Sequence, residues 1–155
     1  AFMKLFVLAL GLALSAPAAG PEGVQLWKHS QLDSYEKTLH PKIDAHKIAV
    51  EPVANWGNHR MMIAHREGDG QAEMHERQAD ILIGQSGQAT LVTGGSMPHS
   101  KNTEPGEFRS AAISGGSSRA FGPGDIVHIP AHTPHQLLVK PGTQFTYVAF
   151  KIDVK

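Results

Sequence analysis

From His46 to Lys151 the apolar residues fall in short runs of strand length, many alternating with polar ones, and the runs are broken by Gly, Pro, Asn and Ser. This period-2 pattern predicts strands over Lys47–Val53, Arg60–Arg66, Glu73–His75, Asp80–Gly84, Gln88–Val92, Ser110–Ile113, Arg119–Phe121, Asp125–Ile129, His135–Val139 and Gln144–Lys151. Ser86-Gly87 and Pro141-Gly142 are expected to turn hairpins. One segment keeps a helical period: Leu32, Tyr35 and Leu39 recur on one face, with Ser30 as the expected cap and His40-Pro41 as the stop. Many short strands and one short helix predict an all-β sandwich or barrel with the helix against its outside. The stretches Gly94–Gly106 and Gly115–Ser118 read as polar loops.

A different pattern opens the chain. Lys4 precedes a wholly apolar run from Leu5 to Leu14, followed by Ala16-Pro17-Ala18, a small-x-small cleavage pattern. The run is too short to span a bilayer, so residues 1–18 are expected to be an export signal, with Ala1 and Phe2 standing before the native start at Met3. The expected organisation is a leader over 1–18, an N-terminal segment and helix over 19–45, and one barrel domain over 46–155. A secreted or periplasmic location follows from that reading, with no membrane association once the leader is removed.

Composition narrows the chemistry. The 155 residues carry 14 basic and 14 acidic side chains, which gives no electrostatic case for binding nucleic acid or an anionic surface. There is no cysteine, so disulfides, thiolate catalysis and cysteine metal sites are excluded. Ten histidines make imidazole the prominent candidate ligand.

Two segments concentrate that chemistry. In Gly70–Asp80, Glu73 and His75 are two apart, so on a strand both side chains leave one face. Asp80 stands an odd five positions after His75, so a turn at Glu76–Gln78 must intervene if it is to face the same interior. The second segment, Gly124–His135, reads as a Gly-Asp turn, a strand, an Ile-Pro stop and a Pro-His restart. His65 and His128, on candidate strands, can face the interior but are read as satisfied core histidines, and His132 as exposed. Met61, Met62 and Met74 are read as packing. Gln85 and Gln136 are candidates to hydrogen-bond a ligand, and Trp27, Trp56 and Tyr35 to form a flat sugar-stacking surface, though packing is the default for all three.

Together the two segments resemble the paired motifs of the cupin superfamily. Glu73-x-His75, Asp80 and Gly87 stand at the spacing of the first motif, and Gly124-Asp125, Pro130 and His135 match the second. The resemblance implies a cupin jelly-roll barrel holding one divalent transition metal through Glu73, His75, Asp80 and His135. The chain departs from the family pattern: where two histidines and a glutamate are usual in the first motif, it has Glu73, His75 and Asp80. Copper or iron suits that donor set best, with manganese, nickel or zinc as alternatives. Asp80, a methylene shorter than glutamate, is read either as a ligand or as a base beside the metal, and Glu73 and Asp80 are the candidate catalytic carboxylates.

The leading functional expectation is an oxidoreductase using O2 or peroxide on an extracellular small molecule or carbohydrate. In size, expected secretion and barrel the chain also resembles secreted copper-dependent cupins that oxidise cellulose. A redox-neutral isomerase or lyase and a non-catalytic binding module are the alternatives. The resemblance further implies a homodimer, with Val24–Lys28 as a segment that can pair.

Overall fold

The computed structural model describes residues 22–155, so the expected leader lies outside the described residues. Described residues form helix α1 (His29–Leu39), a 3-10 turn (His40–Lys42) and the strands β1 (Ile48–Asn55), β2 (His59–Arg66), β3 (Ala72–His75), β4 (Gln78–Gly87), β5 (Ala89–Thr93), β6 (Lys101–Glu104), β7 (Glu107–Ser110), β8 (Ser117–Phe121), β9 (Ile126–Ile129), β10 (His135–Leu138) and β11 (Phe145–Asp153). They build two antiparallel sheets, ordered β1-β2-β11-β4-β9 and β6-β7-β3-β10-β5-β8. None of the described helices is long and apolar enough to cross a membrane.

Strand alternation sorts side chains between two cores. The first sheet turns Ala64, Leu82, Tyr147 and Ala149 inward, where they meet Leu91, Phe121, Leu137 and Val139, and Phe145 joins the same cluster. Its other face carries Met61, Ile63 and Val148, which would be exposed without α1. Leu39, 1% exposed, anchors the end of the helix there, with Leu32 and Tyr35 packed beside it. Burying each large apolar side chain contributes about 1.5–3 kcal/mol, which is why a short helix of modest propensity stays docked. The expected outer helix is therefore present, but its N-cap is Lys28, whose backbone N–H donates to Gln31 Oε1 at 2.8 Å; Ser30 lies within the first turn.

Neither expected hairpin forms. β4 and β5 belong to different sheets, as do β10 and β11, so Ser86-Gly87 and Pro141-Gly142 carry the chain across the sandwich. Gly87 is required at its crossing: its φ is +76°, and a Cβ there would lie 1.9 Å from the Gln144 carbonyl oxygen. The polar stretch Gly94–Gly106 is not wholly loop. β6 falls inside it and pairs with β7, while the strand expected over Ser110–Ile113 instead ends at Ser110. All four β6 side chains are exposed, so no apolar periodicity marked that edge strand.

Candidate metal centre

Register explains how the site assembles. On β3, Glu73 stands opposite His135 of β10 on one side and Arg109 of β7 on the other, and His75 stands opposite Glu107. The chain then leaves this sheet: Glu76 and Arg77 link β3 to β4 in the facing sheet, where Asp80 is opposite Lys151 of β11. The odd spacing between His75 and Asp80 thus reflects a crossing, and the two residues look at each other across the barrel. Ala64 and Arg66 continue inward along β2, as do Tyr147, Ala149 and Lys151 along β11.

The four side chains singled out by the motifs converge. His75 Nε2 lies 3.6 Å from Glu73 Oε2 and 3.3 Å from Asp80 Oδ2, and His135 Nε2 lies 3.4 Å from the same Asp80 oxygen. The two imidazole centroids are 5.2 Å apart. Ligand atoms of Glu73, His75 and His135 all lie within 4.8 Å of one another, so these three can hold a metal ion.

The hydrogen bonds on the outer ring nitrogens test this fit. His75 Nδ1 donates to Glu107 Oε2 at 2.6 Å, and His135 Nδ1 donates to the Thr133 carbonyl at 3.0 Å. Each bond places the proton on Nδ1 and leaves the Nε2 lone pair facing inward, the arrangement that orients metal-ligating histidines. Two imidazoles and a carboxylate, so held, are a competent donor set for a divalent transition metal.

Asp80 has a different partner. The Lys151 ammonium donates to both Asp80 oxygens at 2.9 Å and to His75 Nε2 at 2.8 Å. Burial alone would raise the Asp80 pKa, but the neighbouring imidazoles of His135 and His75 and the Lys151 charge outweigh it and hold the carboxyl well below its usual range. For Glu73 burial also acts upward and is overcome by Arg109 first, then His135, Lys151 and Arg66. Arg109 lies 3.4 Å from Glu73 Oε2, and Arg66 lies 3.8 Å from its other oxygen. Buried carboxylates survive only with such partners, because unpaired they would neutralise or unfold the site.

Lys151, Arg66, Arg109, Glu107 and Tyr147 stand outside both motifs. A signal existed for three of them: Arg66, Tyr147 and Lys151 continue the inward period of their strands. A cavity of about 200 Å3 opens beside the site, lined by Met62, Leu82, Tyr147 and Lys151 among others.

The remaining candidates lie elsewhere. His65 faces out of the barrel toward Thr146, and His128 is exposed, so neither faces the interior. His132 is exposed as expected. Met61 is core, and Met62 packs against the inner cluster. Gln136 lines the cavity, but its amide is committed to the Gly70 and Ala111 carbonyls and the Ile113 N–H. No flat sugar platform forms: Trp27 meets Trp56 edge-on at 89°, Trp56 stacks on His59, and Tyr35 packs under the helix.

Known structures agree on the architecture. A putative mannose-6-phosphate isomerase of Ralstonia eutropha JMP134 aligns over 72% of this chain and 90% of its own, with a TM-score of 0.51 and 17% identity. A cupin-like protein of Thermotoga maritima aligns over 68% of each chain, with a TM-score of 0.50 and 15% identity. A Thermus thermophilus protein aligns over 73% of this chain and 90% of its own, with a TM-score of 0.52 and 13% identity. No family model and no curated protein matches the sequence. At these identities the likeness speaks for the fold: the chain is a cupin-type β-barrel with a candidate metal cluster inside it. The fold accommodates either an enzyme or a binding module.

Proposed function

We propose that this protein is a metal-dependent enzyme acting on a small molecule inside the barrel, with Glu73, His75 and His135 as metal ligands and Asp80 with Lys151 as its proton-handling pair. The observation that carries the reading is the anchoring of both imidazoles through Nδ1, which aims two lone pairs at one point beside Glu73. A divalent metal bound there would act as a Lewis acid on a substrate oxygen. Lys151 gives and takes back a proton at the cavity wall, with the ionised Asp80 holding it in place, since the two are in contact and both border the space where substrate would lie. The cavity is smaller than the ~300–1,000 Å3 of typical ligand sites, which favours a small sugar or organic acid over a polymer chain.

That pair favours a redox-neutral reaction, an isomerisation or elimination. The second reading is an oxidoreductase using O2 or peroxide, with copper or iron, and what supports it is the two-histidine, one-carboxylate donor set itself. Secretion remains part of the proposal on the strength of the leader pattern. So does a homodimer through Val24–Lys28, where Val24 and Leu26 are exposed.

Metal-loaded protein incubated in D2O with small sugars and keto acids separates the readings. Deuterium entering at the carbon beside the carbonyl, and lost in Asp80→Asn, supports proton transfer. Oxygen uptake without exchange supports the oxidoreductase. A wild type that retains no more metal than a His75→Ala, His135→Ala double variant overturns both.

A further inference from the structure

A second cluster of ligand-type side chains sits on the opposite face of the first sheet. His65 follows the outward period of β2, is 1% exposed, and lies between the end of α1 and the β10–β11 crossing. Its protonation pattern follows from its neighbours. Gln144 donates its amide nitrogen to Ser86 Oγ at 3.2 Å, leaving Oε1 to accept the Thr146 hydroxyl proton at 3.0 Å. With its single proton so committed, Thr146 Oγ1 can only accept from His65 Nδ1, 2.8 Å away. Neutral His65 therefore carries its proton on Nδ1 and turns the Nε2 lone pair toward Glu67 Oε1, at 3.0 Å.

Two acceptors at that distance repel unless a proton or a cation lies between them. A third donor converges on the same carboxylate oxygen: Nδ1 of His40, the residue after the Leu39 anchor. Ligand atoms of all three residues lie within 4.8 Å of one another. The surrounding recess, bordered by Lys37, Gly142 and Thr143, is open on its outer side, where His40 is exposed, so water can complete a coordination shell.

We propose that His40, His65 and Glu67 form a second divalent-cation site, separate from the barrel interior, that binds a zinc-class ion and clamps the end of α1 to β2. Two imidazoles and one carboxylate select a borderline transition ion over calcium or magnesium, which prefer all-oxygen shells. The buried, doubly relayed His65 supplies the rigid ligand and the exposed His40 the adjustable one. An ion here ties the helix to the barrel through side chains whose contact otherwise depends on a shared proton.

Equilibrium dialysis of the full chain against zinc tests the site. A His75→Ala, His135→Ala double variant disables the barrel centre and is expected still to bind one zinc per chain. Adding His40→Ala to it should weaken that binding at least tenfold, since losing even a residue that orients a ligand costs ~10–100-fold. It should also abolish the zinc-induced rise in Tm. Zinc binding that is absent from the double variant, or unchanged by His40→Ala, overturns the proposal. Should the double variant fail to fold, imidazole NMR signals of wild-type protein provide the readout. Zinc must then shift those of His40 and His65, and unmoved signals reject the site.

Discussion

Lys151 Nζ stands 2.8 Å from His75 Nε2 while holding both oxygens of Asp80 at 2.9 Å. The ammonium therefore draws on the imidazole lone pair that a metal ion in the barrel needs, and it screens the carboxylate that would be the fourth ligand. A metal bound in the barrel would compete with the lysine for one point, because register sets residues 80 and 151 opposite each other. A metal held by His75 would take the place of the ammonium there and leave Lys151 with Asp80 as its partner.

Lys151→Met removes the competitor and frees Asp80 as a ligand. The affinity of the barrel for zinc or nickel is expected to rise about tenfold, equivalent to ~1.4 kcal/mol. Competition with a chelating dye, in a His40→Ala background that silences the outer cluster, measures it. The metal-free variant should also melt earlier, because its buried Asp80 has lost its counter-ion. An affinity at or below that of the parent counts against the competition.

Glu107 would act on a bound metal through His75, whose Nδ1 donates to it at 2.6 Å. Glu107→Gln preserves an oxygen that can accept the Nδ1 proton but removes the charge that strengthens the ring as a donor. Metal affinity should drop ~10–100-fold while the fold is retained. Circular dichroism checks the fold and the dye competition checks the affinity; full affinity in the variant would show that the Nδ1 contact does not tune the site.

Leu39→Ala empties the buried anchor of α1, and a cost of about 2–5 kcal/mol is expected from lost burial and the cavity left behind. Urea unfolding gives the value. Because His40 follows directly, zinc should restore less stability to this variant than to wild type.

Tyr147 is buried and accepts a hydrogen bond from Arg66 Nε at 3.1 Å. Burial raises its pKa, with the Arg66 charge opposing. The folded protein thus holds the phenol proton more tightly than the unfolded chain does. That contribution is complete below pH ~10 and is lost as pH rises from there through the raised folded value. Urea midpoints measured across the alkaline range should fall less steeply in Tyr147→Phe than in wild type. The absorbance step that disappears in the variant should lie above pH ~10; a step at or below it contradicts the burial argument.

Much of the architecture was legible in local pattern. Strand alternation located most of the strands, because a half-buried strand must place apolar groups on every second position. Leu32, Tyr35 and Leu39 marked the outer helix, since only a helical period puts them on one face. The exposed β6 strand escaped because it buries nothing that a period could reveal. Both expected hairpins failed for a related reason: Gly-containing tight links look alike whether they return the chain to the same sheet or send it to the facing one.

By itself, the sequence singled out the ligand-type side chains Glu73, His75, Asp80 and His135, which stand in two motifs, and alternation put Glu73 and His75 on one strand face, because spacing and alternation are local properties. Only the tertiary structure decided their neighbours. Pairing Asp80 with Lys151, His75 with Glu107, His65 with Thr146, and His40 with Glu67 depends on strand register and on packing between layers. Contacts between residues as far apart as 81 positions leave no mark on either segment alone.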